Sequence, residues 1–398
     1  MTTVDYRAEL VRKLVDEAAI VSPKWRRAFE SVPREEFVPR FFLHKPGGGM
    51  RAVTEGDDDW LASVYSDLTL VTQLDGDDDR WAHARSSGGA SGRPTSSSTQ
   101  PTLMAWMLEA LDIQDGHRIL EIGTGTGYNA ALLAHRLGSA CVTTVDVDAD
   151  VVRLARERLN RVGYTPVVAT ADASQTLPVS APCDRILATC SWPRIPLCWL
   201  AQTRQGGLIL SHLYTELDAG ALVLLTVGDN NSAEGRFLPQ YGSFMTRRDY
   251  QTADTLAMLT EAVRSDQDGI RAPAAMLATE LTSDGFSLFA ALRVSGVLMH
   301  WFQPEGAPTM RTWLLGRDGS WAYQTLENDE LVAVQGGSRR LWDEIETAHR
   351  EWTRLGRPDR GRFGLTVGPH GHTVWLDEPS NACTWALPDL PRPLVHVG

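Results

Sequence analysis

Cysteine is scarce in this chain. There are five in 398 residues (Cys141, Cys183, Cys190, Cys198 and Cys383), an odd number with no Cys-x-x-Cys pair. A disulfide framework or a zinc site is therefore not expected, and reduced thiols in a cytoplasmic protein are. Long apolar runs are missing too: nothing approaches the roughly 18 residues that a membrane-spanning helix needs. The start, Met1-Thr-Thr-Val-Asp-Tyr-Arg7, has no apolar stretch behind a basic end, so no secretory leader is expected. Positive charge is also in deficit. Lys and Arg number 38 against 50 Asp and Glu, a net charge of −12, which repels nucleic acid unless a local basic patch exists. No internal repeat is visible.

Apolar residues make up 43% of the chain, enough for real cores, and its length suits two domains rather than one. Helical spacing predicts a helix over Val4–Val21 and a shorter one over Trp25–Phe29, followed by a proline-punctuated loop from Val32 to Pro39. Two acidic runs, Asp57–Asp59 and Asp77–Asp79, read as solvated loops. Ser86–Ser98 is almost wholly Gly, Ser, Ala, Pro and Thr and reads as a flexible linker or lid. It feeds a helix that begins at Pro101, with Leu103, Met104, Met107, Leu108 and Leu111 on its apolar face. From Arg118 short apolar runs alternate with helical stretches. Strands are predicted at 118–122, 141–145, 167–170, 184–189 and 208–211, the last after a Gly206-Gly207 turn, with helices at 129–137 and 150–162. That rhythm predicts an α/β fold: a Rossmann-like parallel sheet with helices on both faces.

Past Gly228 the rhythm changes. A hairpin is predicted around Asp318-Gly319, a helix over Arg340–Leu355, and a tail of short apolar pieces from Arg362 to Val397. The expected organisation is a helical and loop cap over residues 1–85, a cofactor-binding core over 86–234, and a smaller α+β domain for substrate recognition over 235–398. Seven of the thirteen tryptophans lie at or beyond Trp301. Most should be core, with one or two on a peptide-binding face. His370-Gly-His372 has no third ligand nearby, so an exposed hairpin is expected and no metal.

Leu120-Glu121-Ile122-Gly123-Thr124-Gly125-Thr126-Gly127-Tyr128 lies between a predicted strand and a predicted helix. Glycines at alternate positions let the backbone turn sharply and approach a ligand, and the helix start offers free N–H groups. Such a turn alone also fits a generic nucleotide site. Asp146, closing the next strand, stands where a carboxylate meets ribose hydroxyls. The G-x-G-x-G spacing favours S-adenosylmethionine over a dinucleotide. The candidate cofactor residues are Glu121, Gly123, Thr124, Gly125, Gly127 and Tyr128, then Asp146 and Val147, then Ala171, Asp172 and Ala173, with Asp172 toward the adenine end.

The order Phe37-Val-Pro39, Tyr65-Ser-Asp67, Thr99-Gln-Pro101, Arg118-Ile-Leu-Glu-Ile-Gly-Thr-Gly-Thr-Gly-Tyr128, Asp184-Arg-Ile-Leu-Ala-Thr189 and Gly206-Gly207 resembles protein-L-isoaspartate O-methyltransferases across about residues 1–225. The resemblance implies esterification of an isoaspartate carboxylate, after which the ester closes to a succinimide. It also implies that Thr99 stands where that family has a small hydroxyl residue beside the substrate carboxylate. Ser97-Ser98-Thr99 replaces the usual Thr-Ile-Ser, acidic insertions precede it, and a Trp-rich extension follows. These departures resemble the branch that methylates an aspartate in cyclised ribosomal peptides of the lanthipeptide and graspetide kinds, leading to aspartimide or isoaspartate. The implied partner is such a precursor peptide, and the alternative is repair of damaged proteins. Methylation of nucleic acid is disfavoured by the acidic balance and by the absence of an Asn/Asp-Pro-Pro-aromatic motif after the fourth strand.

A carboxylate is ionised near neutral pH, so methyl transfer to it needs alignment and exclusion of water more than a base. Thr99, with Ser98, is the candidate catalytic hydroxyl, although Thr99 also suits a helix N-cap. Tyr65, Asp67 and Gln100 are candidates for positioning substrate, and Tyr65 and Asp67 fit a simple turn as well. Thr189, Cys190 and Ser191 are expected in the pocket wall at the carboxyl end of a strand.

Overall fold

The computed structural model describes residues 2–45, 48–175, 177, 179, 182–247, 254–303 and 310–389. The chain forms two compact units. The first comprises Met1–Ser191, Pro196–Ser211 and Leu224–Ala233; the second comprises Trp192–Ile195, His212–Val223 and Glu234–Gly398.

The first unit opens with helices α1 (Thr3–Asp16) and α2 (Pro23–Ser31). Thr2 and Asp5 close a reciprocal capping box on α1, and Ser22 with Pro23 starts α2. The predicted first helix therefore stops five residues early, at Asp16. The Val32–Pro39 loop contains a 3-10 turn over Arg34–Phe37. Then come β1 (Arg40–His44), β2 (Met50–Thr54), α3 (Trp60–Val64), β3 (Leu70–Leu74), α4 (Asp79–Ser87) and β4 (Pro94–Ser98). The four strands form a sheet in the order β2-β1-β3-β4.

This overturns the linker reading of Ser86–Ser98, whose residues end α4 and supply β4. Strand β4 pairs antiparallel with β3, and its polar side chains find partners there. Thr72 donates to Ser96 Oγ at 3.1 Å and Thr95 donates to Gln73 Oε1 at 2.9 Å. The acidic runs are likewise engaged: Asp57 pairs with Arg85 at 2.7 Å, Asp59 with Arg51, and Asp78 with Arg40 at 3.3 Å.

The predicted alternation follows. Helix α5 (Pro101–Ala110) leads to β5 (Ile119–Ile122), α6 (Tyr128–Leu137), β6 (Val142–Asp146), α7 (Ala149–Arg161), β7 (Val167–Thr170) and β8 (Cys183–Trp192). Strands β5 and β6, β5 and β8, and β6 and β7 all pair in parallel. All four residues of β5 are buried, as is α6 from Tyr128 to Ala134. The chain continues through α8 (Leu197–Gln202), β9 (Thr203–Leu213), β10 (Ala221–Val227) and β11 (Ala233–Phe237). Gly206 and Gly207 lie inside β9 rather than in a turn before it.

The second unit holds α9 (Thr255–Arg264), β12 (Ile270–Pro273), α10 (Phe286–Arg293), β13 (Val297–Phe302), β14 (Arg311–Gly316), β15 (Trp321–Glu327), β16 (Glu330–Gly336) and α11 (Leu341–Arg354). It ends with β17 (Phe363–Gly368), β18 (Gly371–Leu376) and β19 (Thr384–Ala386). Five strands form an antiparallel sheet in the order β12-β16-β15-β14-β13, with the expected hairpin at Asp318-Gly319. His370 sits exposed at the tip between β17 and β18, but His372 is buried and accepts the Ile195 N–H at 3.0 Å. The end of the predicted tail, 390–398, lies outside the described residues. Among the described residues no helix is long and apolar enough to cross a membrane.

Trp313 is fully buried beside Tyr323, with ring centroids 4.4 Å apart, and Trp321, at 6.0 Å. Its indole N–H has no hydrogen-bond partner among the described residues. Trp313→Ala should cost about 3–5 kcal/mol through the cavity it leaves. Trp313→Phe should cost less, because it keeps an aromatic ring and removes an unpaired buried donor. Urea unfolding of the two variants checks both.

Candidate functional site

The glycine turn joins β5 to α6. Gly123, Gly125 and Gly127 have φ of +99°, +51° and +89°, a region that side chains rarely adopt. Space closes around them as well. A Cβ on Gly123 would meet Thr189 Oγ1 at 2.7 Å, one on Gly125 the Ser97 carbonyl oxygen at 3.2 Å, and one on Gly127 the Ala155 Cβ at 3.3 Å. The Ser97 carbonyl thus brings the end of β4 against the turn.

Asp146 ends β6, and its Oδ2 accepts the Gly125 N–H at 3.1 Å while Oδ1 accepts from Asp148 N at 3.2 Å. The next side chain, Val147, is 54% exposed, an apolar surface beside a carboxylate. Ala171 N donates to the Asp146 carbonyl at 2.9 Å, which sets Ala171, Asp172 and Ala173 alongside. Asp172 is exposed and accepts from both Ser174 N and Ser174 Oγ at 2.8 Å; Ala173 is buried. A cradle with glycine approach, two carboxylates at strand ends and an exposed apolar side chain fits a nucleoside-bearing cofactor.

Three other candidates lie beneath this surface. Glu121 is fully buried and accepts from Asn129 Nδ2 at 2.6 Å. Thr124 is buried with its hydroxyl 2.8 Å from that of Thr144. The Tyr128 ring packs against Phe29 and Phe37, with centroids at 6.3 and 5.8 Å, and burial pushes its phenol up to about 12. Thr189 donates to the carbonyls of Gly123 at 2.7 Å and Ile122 at 3.2 Å, supporting the turn from β8. Cys190 and Ser191 continue that strand past its pairing with β5; Ser191 is fully buried and Cys190 half-buried.

The residues before α5 are organised by a side chain the sequence reading passed over. Arg34 is fully buried. Its guanidinium donates to the carbonyls of Val64 (2.8 Å), Ser66 (3.0 Å), Leu68 (3.1 Å) and Thr99 (3.1 Å), and to Ser98 Oγ at 3.3 Å. Burial lowers its pKa to about 10, still well above neutrality. The only sequence clue is an arginine beside Glu35 and Glu36 in the proline-punctuated Val32–Pro39 stretch. Ser98 is thereby occupied. Thr99 is not the N-cap of α5; Gln100 holds that position, and the Thr99 hydroxyl bonds to no described residue.

Tyr65 and Asp67 brace this region. The Tyr65 hydroxyl receives Arg7 Nε at 3.0 Å and donates to Glu35. Asp67 receives Lys13 Nζ (3.0 Å), Gln100 Nε2 (3.1 Å), Thr102 N (2.9 Å) and Thr102 Oγ1 (2.8 Å). Burial works to raise the Asp67 pKa, but these donors outweigh it and hold the carboxyl below its ordinary value.

Burial pushes Glu121 up from 4.5 to about 7. An acid raised on folding holds more protons folded than unfolded between those two values, so its contribution to stability falls as pH climbs across that window. His212 and His372, both lowered to about 4 chiefly by burial, act oppositely, adding stability as pH rises from about 4 toward 6.5. Glu121→Gln should therefore gain stability relative to the parent as pH rises from about 4.5 to about 7. Urea midpoints of both proteins measured across that range check the sign.

Residues 87–224 match the Protein-L-isoaspartate(D-aspartate) O-methyltransferase (PCMT) family. Among curated relatives, the protein-L-isoaspartate O-methyltransferase of Ignicoccus hospitalis is 30% identical over 206 residues, 51% of this chain and 80% of the relative. That of Methanothermobacter thermautotrophicus is 31% identical over 224 residues, 56% and 86% respectively. The Thermotoga maritima enzyme of the same name is 29% identical over 199 residues, and the match spans only 52% of its length. A solved structure named protein-L-isoaspartate O-methyltransferase superposes with TM-score 0.52 at 20% identity, covering 94% of this chain and all of that one, a likeness of fold. With its glycine cradle, its Asp146 and relatives covered over four-fifths of their length, the chain belongs to the protein-L-isoaspartate O-methyltransferase family, S-adenosylmethionine-dependent carboxyl O-methyltransferases.

Proposed function

We propose that the chain methylates the side-chain carboxylate of an aspartyl residue in a peptide, the substrate being a cyclised ribosomal precursor. The observation that carries the carboxylate assignment is the Ser97–Thr99 segment. Its Ser97 carbonyl abuts Gly125, its Thr99 carbonyl is held by Arg34, and its Thr99 hydroxyl has no other described partner. S-adenosylmethionine supplies an electrophilic methyl group on a sulfonium. Gly123, Gly125, Asp146, Val147 and the Ala171–Ala173 segment would hold it.

In this reading the Thr99 hydroxyl donates to one carboxylate oxygen and leaves the other, still anionic, as nucleophile. No residue has to remove a proton, because the acceptor is already ionised near neutral pH. Arg34 acts through Thr99 by fixing its backbone, a positioning role. The ester formed is a better electrophile than the acid. The next residue's backbone nitrogen attacks it, loses its proton and expels methanol, closing the succinimide. The second domain, from about residue 235, would present the peptide, and a cyclised substrate would bind with little ordering cost. Scarce cysteine favours a cytoplasmic setting.

The substitution of Ser97-Ser98-Thr99 for Thr-Ile-Ser and the acidic insertions motivate the precursor-peptide reading. The second reading, repair of isoaspartyl damage, is favoured by the solved structure of that name, whose likeness of fold extends over 94% of this chain. An extension beyond residue 224 therefore does not separate the two readings.

Thr99→Ser should retain turnover. Thr99→Val should bind cofactor normally and lose methyl transfer by about tenfold to a hundredfold, the worth of a charge-assisted hydrogen bond. Calorimetric cofactor binding alongside a methyl-transfer assay separates these outcomes. Offered a cyclised precursor, the linear precursor and an aged isoaspartyl peptide, the enzyme should favour the first. By mass the product gains one methylene and then shows a net loss of one water from the starting aspartate. Equal rates on the isoaspartyl peptide would establish repair.

A further inference from the structure

The cap sheet carries a feature that the methyl-transfer site does not use. A pocket of about 350 Å³ opens beside Lys45, Gly48 and Gly49 on one side and α4 with its end on the other. Lys45, Arg80 and His83 line it together with Gly48, Gly49, Gly88, Gly89 and Ser91, and among the described residues no carboxylate lines it. In a chain of net charge −12 that is a local inversion of sign.

The charges are not all compensated. Arg80 pairs with Asp75 at 3.0 Å. Lys45 Nζ donates only to the Gly88 carbonyl at 2.9 Å, a neutral acceptor, and has no carboxylate partner among the described residues. The backbone contributes donors too. Gly48, Gly49 and Gly88 have φ of +102°, +73° and +78°. The amides of Gly49, Gly88, Gly89 and Ser91 donate to no described residue. A side chain at Gly89 would also crowd the lysine: its Cβ would meet Lys45 Nζ at 3.2 Å. An ammonium among unspent backbone amides, with no acid among the described lining residues, is a place for an oxyanion.

Ser91 stands three residues before β4, and β4 ends at Ser98 beside Thr99. At about 3.3 Å per residue, that run spans roughly 25 Å, the reach of an extended peptide of seven or eight residues. We propose that the pocket binds an acidic side chain of the peptide substrate, remote in sequence from the aspartate to be methylated, and so sets which peptides are taken. The proposal rests on the peptide-substrate reading given above.

The probe is fluorescein-labelled hexaglutamate, titrated by anisotropy into the full chain at low salt, with hexaglutamine as control. Hexaglutamate should bind saturably and hexaglutamine should not. Lys45→Glu should weaken binding by about tenfold or more, and added salt should weaken it in the parent. In methyl-transfer assays Lys45→Glu should raise KM, at unchanged kcat, for an aspartyl peptide carrying distal glutamates, and change neither constant for its glutamine counterpart. Equal binding of the two probes, or a Lys45→Glu protein that binds hexaglutamate like the parent, overturns the proposal. Protection of the parent against thermal unfolding by inorganic phosphate, without hexaglutamate binding, also overturns it in favour of a free oxyanion. If the parent methylates neither peptide the substrate reading fails, while the anisotropy still decides the pocket.

Discussion

A guanidinium buried with no carboxylate in ion-pair range among the described residues must be solvated by dipoles, and Arg34 is solvated by four backbone carbonyls and one hydroxyl. Removing such a charge from water costs on the order of several kcal/mol unless every donor is satisfied. The constraint therefore runs outward from it. The stretch Val64–Leu68 must curl so that three carbonyls converge, and β4 must end so that Ser98 and the Thr99 carbonyl face the same point. The Tyr128 ring lies with its centroid 5.8 Å from the guanidinium carbon, tying the start of α6 to the same centre. One arginine links the cap to the segment that approaches the glycine turn. Lysine could not replace it, because a single ammonium cannot serve five acceptors spread across two chain segments.

The same economy governs the turn itself. Its three glycines are required less by flexibility than by what stands next to them: a threonine hydroxyl from β8, a carbonyl from β4 and the face of α7 at Ala155. The turn is enclosed on those sides, and Asp146 holds the Gly125 amide from the next strand. A ligand carrying hydroxyls would compete for the Asp146 carboxylate that now accepts that amide. Glu121 is the last but one residue of the strand that feeds the turn, a fully buried carboxyl pushed up to about 7 by burial and held by Asn129, so it belongs to the support of the turn.

What was legible in the sequence was what is local. The βα alternation, the glycine spacing and Asp146 are read off periodicity and short-range steric need, and the structure has β5, α6, β6, α7 and β7 within about a residue of their predicted bounds, while β8 and β9 run longer than predicted. The Ser86–Ser98 stretch was misread because composition speaks for chain entropy and not for partners. A serine- and threonine-rich strand is stable when its hydroxyls meet Gln73, Thr72 and Arg34, and none of those pairings is visible along the chain. Arg34 escaped notice for the same reason, since its partners lie 30 to 65 residues away. Tyr65 and Asp67 were noticed as a motif, but a motif does not say which way its side chains turn. Here Arg7, Glu35, Lys13 and Thr102 hold them in the scaffold. His372 shows the converse: a pair of histidines at a hairpin tip divides into one exposed and one buried because His370 lies in the turn while His372 belongs to β18 and turns its ring inward.

Charge distribution adds a last constraint on the substrate. At −12 the protein repels acidic peptides at long range, so an acidic partner gains little from diffusion and must be held by short contacts. Lys45 and the unspent amides around it provide such contacts in a fold region absent from the methyl-transfer chemistry. A peptide anchored there reaches Thr99 only when the intervening residues run extended beside β4. Selection then falls on the spacing between an acidic residue and the target aspartate, while methyl transfer itself demands only a carboxylate in line.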